Sequence, residues 1–280
     1  MDWFFILIFV SFALPALGQA MGRAARSRLI QEIESKRGSR LITLVHHQDK
    51  LSLLGLPVAH FINIEDSERI LRAIHLTPKT MPIDILLHTP GGLVLAAHQV
   101  ARALNRHEAK VTVFVPHYAM SGGTLLALSA DEIVMDKNAV LGPVDPQLGA
   151  MPAASIVAVT GEKEADDLDD TTLILADISQ KAINQMAGLV KEILSDHLPA
   201  TKIAPEKIEH IAAELVSGKF SHDHAITFED ATSLGLPVKL GIPDEIYDLM
   251  SLYPVSANMT SNVEYFPLPY KKGSGQKTLN

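Results

Sequence analysis

The chain has 280 residues, 47% of them hydrophobic, which is enough for one large domain or two small ones with a substantial core. The net charge of −8, with no basic stripe interleaved with aromatic residues, argues against nucleic acid as a partner. The sequence contains no cysteine, which excludes disulfides, thiol catalysis and cysteine-ligated zinc.

The first feature along the chain is an uncharged stretch, "WFFILIFVSFALPALGQAM", from residue 3 to residue 21. It is just long enough to cross a hydrocarbon core of about 30 Å. Basic residues follow it instead of preceding it. The positive-inside rule therefore predicts an uncleaved, single-pass membrane anchor at residues 1–22, with the rest of the chain in the cytoplasm. Two alternatives are a secretory signal cleaved near "ALGQA" and a buried core helix.

A basic segment follows at residues 23–40, in which an amphipathic helix is predicted at 24–38, ended by Gly38, and we interpret it as a solvated helix next to the membrane. The main folded domain is predicted at residues 41–254. Apolar periodicity and capping residues predict helices within it at 66–76, 171–198, 204–218 and 227–235. The polar tail at residues 255–280 contains "GSGQ", which predicts a loose segment.

A strand–turn–helix unit occurs twice in the middle of the chain. An apolar strand at 82–88 is followed by the turn "TPGG" and a helix rich in alanine and leucine. A second strand at 110–116 is followed by the corner "HYAMSGG" and a short apolar helix, and "DEIVMD" and "NAVLG" are typical of further strands. Such units in series predict a mainly parallel α/β sheet, with both glycine corners at its carboxyl edge, where ligands bind.

Ser121 lies in the second of these corners, in "HYAMSGGT". A sharp strand-to-helix turn lifts a serine hydroxyl clear of the backbone, as a nucleophile requires. The usual G-x-S-x-G motif is not matched, because Met120 precedes the serine and two glycines follow it. The local sequence therefore favours a nucleophile and a purely structural turn equally.

The first corner places Gly91 and Gly92 before a helix. Free N–H groups there, together with the N–H of Gly122, suit an oxyanion hole for acyl transfer. A close helix–strand contact is the structural alternative. A phosphate loop is a third interpretation, but the stretch has neither G-x-G-x-x-G nor G-K-[ST].

A serine nucleophile needs a base, and the chain has twelve histidines. His117 lies four residues before Ser121, and His222 and His224 flank an aspartate in "FSHDHAI". The His-Asp-His sequence lacks a pattern for a third metal ligand, so we do not predict a metal site.

Three stretches together resemble a known family: "HTPGG", then "AMSGGT" about thirty residues later, then "ADEIVMDKNAVLGPVDPQ". They are similar to the Clp-protease/crotonase fold, and more closely to the serine dehydrogenase proteinases, membrane-bound relatives of signal peptide peptidase A. The resemblance covers roughly residues 20 to 250. It implies an α/β spiral of strand–turn–helix units after one N-terminal transmembrane helix, a homo-oligomer, and no metal or organic cofactor.

The resemblance also implies roles for individual residues. Ser121 takes the place of the nucleophile, and Gly91, Gly92 and Gly122 take the place of the oxyanion hole. The soluble Clp subunit has a histidine about 25 residues after its serine, where this chain has "LGPVDPQ" and no histidine. Relatives of signal peptide peptidase A use a lysine from a later helix, and Lys181 is our candidate.

Lys181 is chosen because it follows Ile174 by seven residues, at the edge of an apolar helix stripe where partial desolvation favours the neutral amine. Asp177, one turn earlier, opposes that effect. The alternative is an ordinary helix lysine with its ammonium group in water.

The leading hypothesis is a membrane-anchored serine endopeptidase that cleaves peptides or membrane-proximal proteins through a Ser121–Lys181 dyad. Crotonase-like acyl-CoA chemistry is a second hypothesis, and a non-catalytic oligomeric membrane scaffold is a third. The family name suggests an amino-acid oxidoreductase, but the sequence has no nucleotide-binding fingerprint.

Overall fold

The computed structural model describes residues 2–46, 51–53, 56–58, 60–196 and 203–253, without the side chains of residues 2–16, 51–58, 165 and 196. The strands within these ranges are β1 (Arg40–Val45), β2 (Leu51–Leu53), β3 (Leu56–Val58), β4 (Ile83–His88), β5 (Val111–Val115), β6 (Tyr118–Ala119), β7 (Glu132–Met135), β8 (Val140–Leu141), β9 (Gln147–Leu148), β10 (Met151–Pro152) and β11 (Val238–Leu240). The helices are α1 (Asp2–Arg37), α2 (Ile64–Leu76), α3 (Val94–Asn105), α4 (Gly122–Leu128), α5 (Ala153–Glu162), α6 (Asp170–Asp196), α7 (Pro205–Val216), α8 (Phe228–Leu234) and α9 (Asp244–Ser251).

A five-stranded sheet in the order β1-β4-β5-β7-β11 forms the centre of the fold, and all its neighbouring strands are parallel. Side chains alternate between its two faces. On β5, Val113 and Val115 pack with helices α2, α3, α4 and α6, whereas Phe114 packs with α1 and α9. Both faces are covered, which explains why these strands are apolar at almost every position.

Short ladders extend the structure beyond the carboxyl edge of the sheet. Ile62 pairs with Gly92, Thr89 pairs with Ala119, β6 pairs with β8, and Leu141 pairs with Ile226. These pairings place the two glycine corners side by side and bring the segment around residue 226 next to them. The carboxyl edge is therefore where distant parts of the chain meet.

The predicted parallel α/β sheet and its main strands are confirmed. The helices predicted at 66–76, 171–198 and 204–218 are also confirmed, as α2, α6 and α7. Helix α2 begins earlier than predicted: Asn63 is its N-cap, and Asp66 is the third residue of a capping box. The stretch "NAVLG" contributes only the two-residue β8, outside the central sheet. Helix α5 was not predicted, because its valines and isoleucine at short spacing gave no clear helical period.

The N-terminal segment forms a single helix, α1, that continues into the domain. Its last turns are not solvated as predicted, because Ile33 is buried against Leu41, Phe114 and Ile246. Within the residues whose side chains the structure describes, no helix has an apolar stretch long enough to cross a membrane. The predicted loose tail at 255–280 lies outside the described residues.

Candidate active site

Ser121 adopts a strained backbone conformation at the corner between β6 and α4. Its φ is 50° and its ψ is −114°, and it is the only non-glycine residue with a positive φ in the part of the chain that the structure describes. Such a conformation costs on the order of 1–3 kcal/mol and persists only where the surroundings impose it. A nucleophilic serine at a sharp strand-to-helix turn has this kind of geometry, because the turn exposes its Oγ.

Gly91 and Gly92 hold the first corner tightly against its neighbours. Gly91 has a φ of 105°, and a Cβ on it would lie 2.8 Å from both Met120 O and Ser121 Cβ. Gly92 has a φ of 154°, and a Cβ on it would lie 2.3 Å from Ile62 O. Only glycine fits at these positions, because the contacts are with backbone atoms and with a Cβ fixed to the backbone, none of which can move aside.

The backbone N–H groups of the two corners are not equivalent. Gly91 donates its N–H to Thr89 Oγ1 at 3.2 Å, so this N–H is already used. The N–H groups of Gly92 and Gly122 donate to no protein acceptor among the described residues. They are close to each other, since a Cβ on Gly122 would lie 3.4 Å from Gly92 N. Of the three glycines predicted to form the oxyanion hole, Gly92 and Gly122 therefore offer an available N–H, whereas Gly91 does not.

A polar chain lies behind the first corner. His46 Nδ1 lies 3.0 Å from Thr89 Oγ1, and His46 Nε2 lies 3.4 Å from Asp66 Oδ2. Burial lowers the pKa of His46, although the nearby Asp66 opposes this. A neutral His46 accepts the Thr89 hydroxyl hydrogen at Nδ1, which leaves the oxygen of Thr89 free to accept the N–H of Gly91. This chain fixes the position of the glycine corner.

Asp145 and His222 face each other next to an antiparallel bridge. Backbone hydrogen bonds join Leu141 and Ile226 in both directions, at 3.0 and 2.9 Å. Asp145 lies four residues after Leu141 and His222 lies four residues before Ile226, so the register brings them together. His222 Nδ1 lies 2.8 Å from Asp145 Oδ1, and Gln147 donates to the other carboxylate oxygen at 2.6 Å.

The Asp145 carboxylate determines which nitrogen of His222 is basic. A carboxylate can only accept, so Nδ1 of His222 carries a hydrogen and Nε2 of the neutral ring carries the lone pair. The hydrogen bond to Asp145 raises the pKa of His222 above its ordinary value, and partial burial opposes this rise. The side chain of Asp145 is only 2% exposed. The strength and orientation of this base therefore depend on a buried carboxylate.

Ser121, Asp145 and His222 line one cavity of about 230 Å³. Gly92 forms part of its wall, so one of the two available N–H donors belongs to the same space. The cavity also has apolar walls, formed by Phe61, Val94, Val144 and Met186. A hydroxyl, an imidazole paired with a carboxylate and an oxyanion donor in one partly apolar space have the composition that acyl transfer requires.

Lys181 does not fit the role predicted for it. Its side chain is 67% exposed and forms an ion pair with Asp177 on the same helix, at 2.5 Å. Met186 is the residue of α6 that lines the cavity, and five residues of helix place Lys181 about 140° away around the axis. The apolar stripe of α6 faces the core, and Lys181 lies outside that stripe.

The other histidines named from the sequence have different surroundings. The His117 ring packs against Tyr118, with ring centroids 5.2 Å apart. The His224 ring stacks on Phe220 at 4.1 Å and lines a separate cavity of about 440 Å³. His222 and His224 thus belong to different cavities, and no group of acidic and histidine side chains within the described ranges could hold a metal ion.

The sequence analysis missed the pairing of Asp145 with His222. The aspartate lies in "LGPVDPQ", where the family resemblance predicts a histidine, and the histidine lies in "FSHDHAI". Seventy-seven residues separate them, and neither lies in a helix or a strand of the central sheet. The signal was the aspartate at a position where a histidine was expected. It could have prompted a search for a histidine partner elsewhere in the chain.

Comparisons with known proteins identify the family of the chain. The chain matches the family described as ClpP-like SDH-type serine proteinase over residues 1–279. The uncharacterized protein MJ1495 of Methanocaldococcus jannaschii is 50% identical over 275 residues, covering 98% of this chain and 92% of that protein. Membrane protein NfeD1b of Bacillus subtilis is 35% identical over 97 residues, covering 35% of this chain and 20% of that protein. Among solved structures, the 1510-N membrane-bound stomatin-specific protease is 18% identical, with 69% of this chain and 79% of that chain covered and a TM-score of 0.44.

The family match extends over both glycine corners and over the loops that carry Asp145 and His222. The predicted resemblance to the serine dehydrogenase proteinases is thereby confirmed. The parallel α/β sheet is the architecture expected of such a protein. The chain therefore belongs to the ClpP-like SDH-type serine proteinases.

Proposed function

We propose that the protein is a serine endopeptidase in which Ser121 is the nucleophile, His222 is the base and Asp145 orients His222. The observation that carries this proposal is the strained corner at Ser121, which lines the same cavity as the His222–Asp145 pair. The family membership favours peptide hydrolysis over acyl-CoA chemistry and over a scaffold without activity.

The proposed reaction has two halves. His222 Nε2 takes the proton of the Ser121 hydroxyl as its oxygen bonds to the peptide carbonyl carbon, and the carbonyl oxygen becomes an anion that accepts the N–H groups of Gly92 and Gly122. The C–N bond then breaks as protonated His222 gives its proton to the leaving amine. A water molecule, deprotonated by His222, hydrolyses the acyl-enzyme, and the released serine oxygen recovers a proton from His222. Asp145 stays ionised throughout and stabilises the imidazolium.

The walls of the cavity favour an apolar residue beside the scissile bond. Phe61, Val94, Val144 and Met186 contribute apolar surface around Ser121. A volume of about 230 Å³ is small, so it holds one side chain and the reacting groups rather than a folded segment. Substrates are therefore unfolded or extended polypeptides.

The first part of helix α1 is proposed as a single-pass membrane anchor. Residues 3–21 carry no charge, and α1 continues through them without a break. Arginines follow this stretch, which favours a cytoplasmic location for the peptidase domain. Partial similarity to the membrane protein NfeD1b supports the same proposal. The homo-oligomer expected from the family resemblance remains part of the proposal as well.

Labelling with a fluorophosphonate tests the activity directly. We expect the purified, detergent-solubilised protein to form one covalent adduct, and peptide mapping by mass spectrometry to locate it on Ser121. Heat-unfolded protein is the control and should remain unlabelled, because an isolated serine hydroxyl is a poor nucleophile. An adduct on a different serine, or no adduct on the folded protein, would show that the assignment is wrong.

The pH dependence of labelling tests the role of Asp145. Because Asp145 raises the pKa of His222, the neutral base accumulates only above the ordinary imidazole value of about 6.5, and the rate should rise with pH to a midpoint above that value. Asp145→Asn should lower both the pH midpoint and the maximum rate of labelling, since the carboxylate that stabilises the imidazolium of His222 is lost. Gln147→Ala, which leaves the carboxylate in place, is the control. A midpoint that does not move in Asp145→Asn would contradict the pairing.

A further inference from the structure

Helix α1 precedes β1, to which a two-residue turn joins it. Near the end of the helix, Arg37 donates to both carboxylate oxygens of Asp84 at 2.5 and 3.0 Å, close to the amino end of β4. Eleven residues earlier, Arg26 donates to Leu252 O at 2.9 Å and lies over the Tyr253 ring, 5.1 Å from its centroid. Moving backwards along α1 therefore leads away from the amino edge of the sheet.

Two further contacts fix the same direction. The Tyr253 hydroxyl donates to Thr43 Oγ1 at 2.5 Å, and Thr43 lies in the second half of β1. Helix α9 contacts α1 at both ends, with its first turn at Lys36 through Glu245 and the residue after its last turn at Arg26. The helix is thus held at two levels of the sheet, and its direction relative to the strands is determined by charged and hydrogen-bonded contacts.

The length of α1 carries it past the carboxyl edge. Through Tyr253, Arg26 lies near the level of Thr43, and α1 extends back from it over 24 residues and about 36 Å, whereas the two residues of β1 beyond Thr43 span about 7 Å. Residues 3–21 of this extension are the uncharged stretch proposed as the membrane anchor.

The carboxyl edge also presents an apolar rim, which we define as Phe61, Leu93, Val94 and Leu95. Their exposed fractions are 51%, 54%, 46% and 60%. Three of them are consecutive at the start of α3, and Phe61 and Val94 also line the Ser121 cavity. A contiguous exposed run of this kind is unfavourable in water and is explained when another apolar phase covers it.

From the direction and length of α1 and the position of the apolar rim, we infer that the carboxyl edge, with the Ser121 cavity, faces the lipid bilayer that holds the start of α1. This inference rests on the anchor of the proposed function and adds its orientation and substrate class. The partner of the apolar rim is the bilayer surface, and the substrate is a polypeptide segment at that surface, such as the stretch next to a transmembrane helix. Cleavage of a freely diffusing peptide would not require the Ser121 cavity to face the bilayer.

Single-cysteine labelling tests the orientation, because the chain has no cysteine of its own. Leu95→Cys marks the apolar rim, and Leu76→Cys marks the opposite edge, in the last turn of α2. The two positions are matched: both are leucines in helices, 60% and 68% exposed. Each full-length variant is labelled with a thiol-reactive fluorophore and reconstituted into phosphatidylcholine vesicles containing lipids with a nitroxide on the headgroup.

We expect the fluorophore at residue 95 to be quenched at least about threefold more strongly than that at residue 76, since about 20 Å of sheet separates the two edges. Equal quenching, or stronger quenching at residue 76, would overturn the inference. So would protection of residue 95 from the lipid quencher by a second copy of the chain, or failure of the protein to float with the vesicles.

The quenching does not depend on catalysis, so the two proposals can fail separately. In a Ser121→Ala background the difference between residues 95 and 76 should be unchanged. If residue 95 is quenched but fluorophosphonate does not label Ser121, the orientation stands and the peptidase assignment fails. If Ser121 is labelled in detergent but residue 95 is not quenched in vesicles, the peptidase assignment stands and the orientation fails.

Discussion

His222→Ala is expected to lower the rates of fluorophosphonate labelling and of peptide hydrolysis by at least about 10³-fold, and Lys181→Ala to leave both within about twofold. The reason is geometric. His222 lines the cavity of Ser121 and is held by a buried carboxylate, whereas Lys181 is exposed and paired with Asp177 on another face of α6. Initial rates on an unfolded protein substrate and the second-order rate of labelling are the measurements.

His224→Ala is the matched control for His222→Ala. It removes a histidine from the same loop, two residues away, whose ring stacks on Phe220 in a different cavity, and it should retain activity. The double variant Ser121→Ala/His222→Ala should be no less active than either single variant, because residues that act as a unit are not additive. Loss of activity in Lys181→Ala with retention in His222→Ala would restore the lysine dyad and remove the proposed base.

The sheet and its corners were predictable because their signals are local. Strands buried on both faces are continuous apolar runs, as "IDILLH" and "VTVFV" show, and glycine pairs mark the turns that follow them. The position of Ser121 at a sharp turn follows from the same local pattern. The parallel order of the strands then brings the two corners to one edge. The proximity of Gly92 and Gly122 could therefore be predicted without knowing the tertiary contacts.

The base could not be predicted in the same way, because it depends on contacts between segments far apart in the chain. The bridge between Leu141 and Ile226 brings Asp145 opposite His222, and nothing in either local stretch specifies that bridge. Helical periodicity placed Lys181 near an apolar stripe, but it could not decide which side of that stripe faced Ser121. The use of the Gly91 N–H by Thr89 was likewise invisible without coordinates.

Gly92→Ala is expected to reduce activity by at least about 10²-fold and to destabilise the fold by about 3 kcal/mol or more. The new methyl group would lie 2.3 to 2.7 Å from three backbone atoms of Ile62, at a φ of 154° that alanine rarely adopts. The corner must move, and with it the N–H that is proposed to bind the oxyanion. Each kcal/mol lowers the melting temperature by about 2–4 °C in a domain of this size, so calorimetry measures one effect and turnover the other.

Gly188→Ala is the control that separates these effects from the general consequence of adding a methyl group to a glycine. Gly188 lies inside α6, and a Cβ there would have no neighbour within 4 Å. Alanine at this position should stabilise the fold by about 0.5–1 kcal/mol through helix propensity and leave turnover unchanged. If Gly92→Ala kept both its melting temperature and its turnover, the tight contact with Ile62 could not exist as described. The oxyanion hole would then have to be sought at other N–H groups of the cavity.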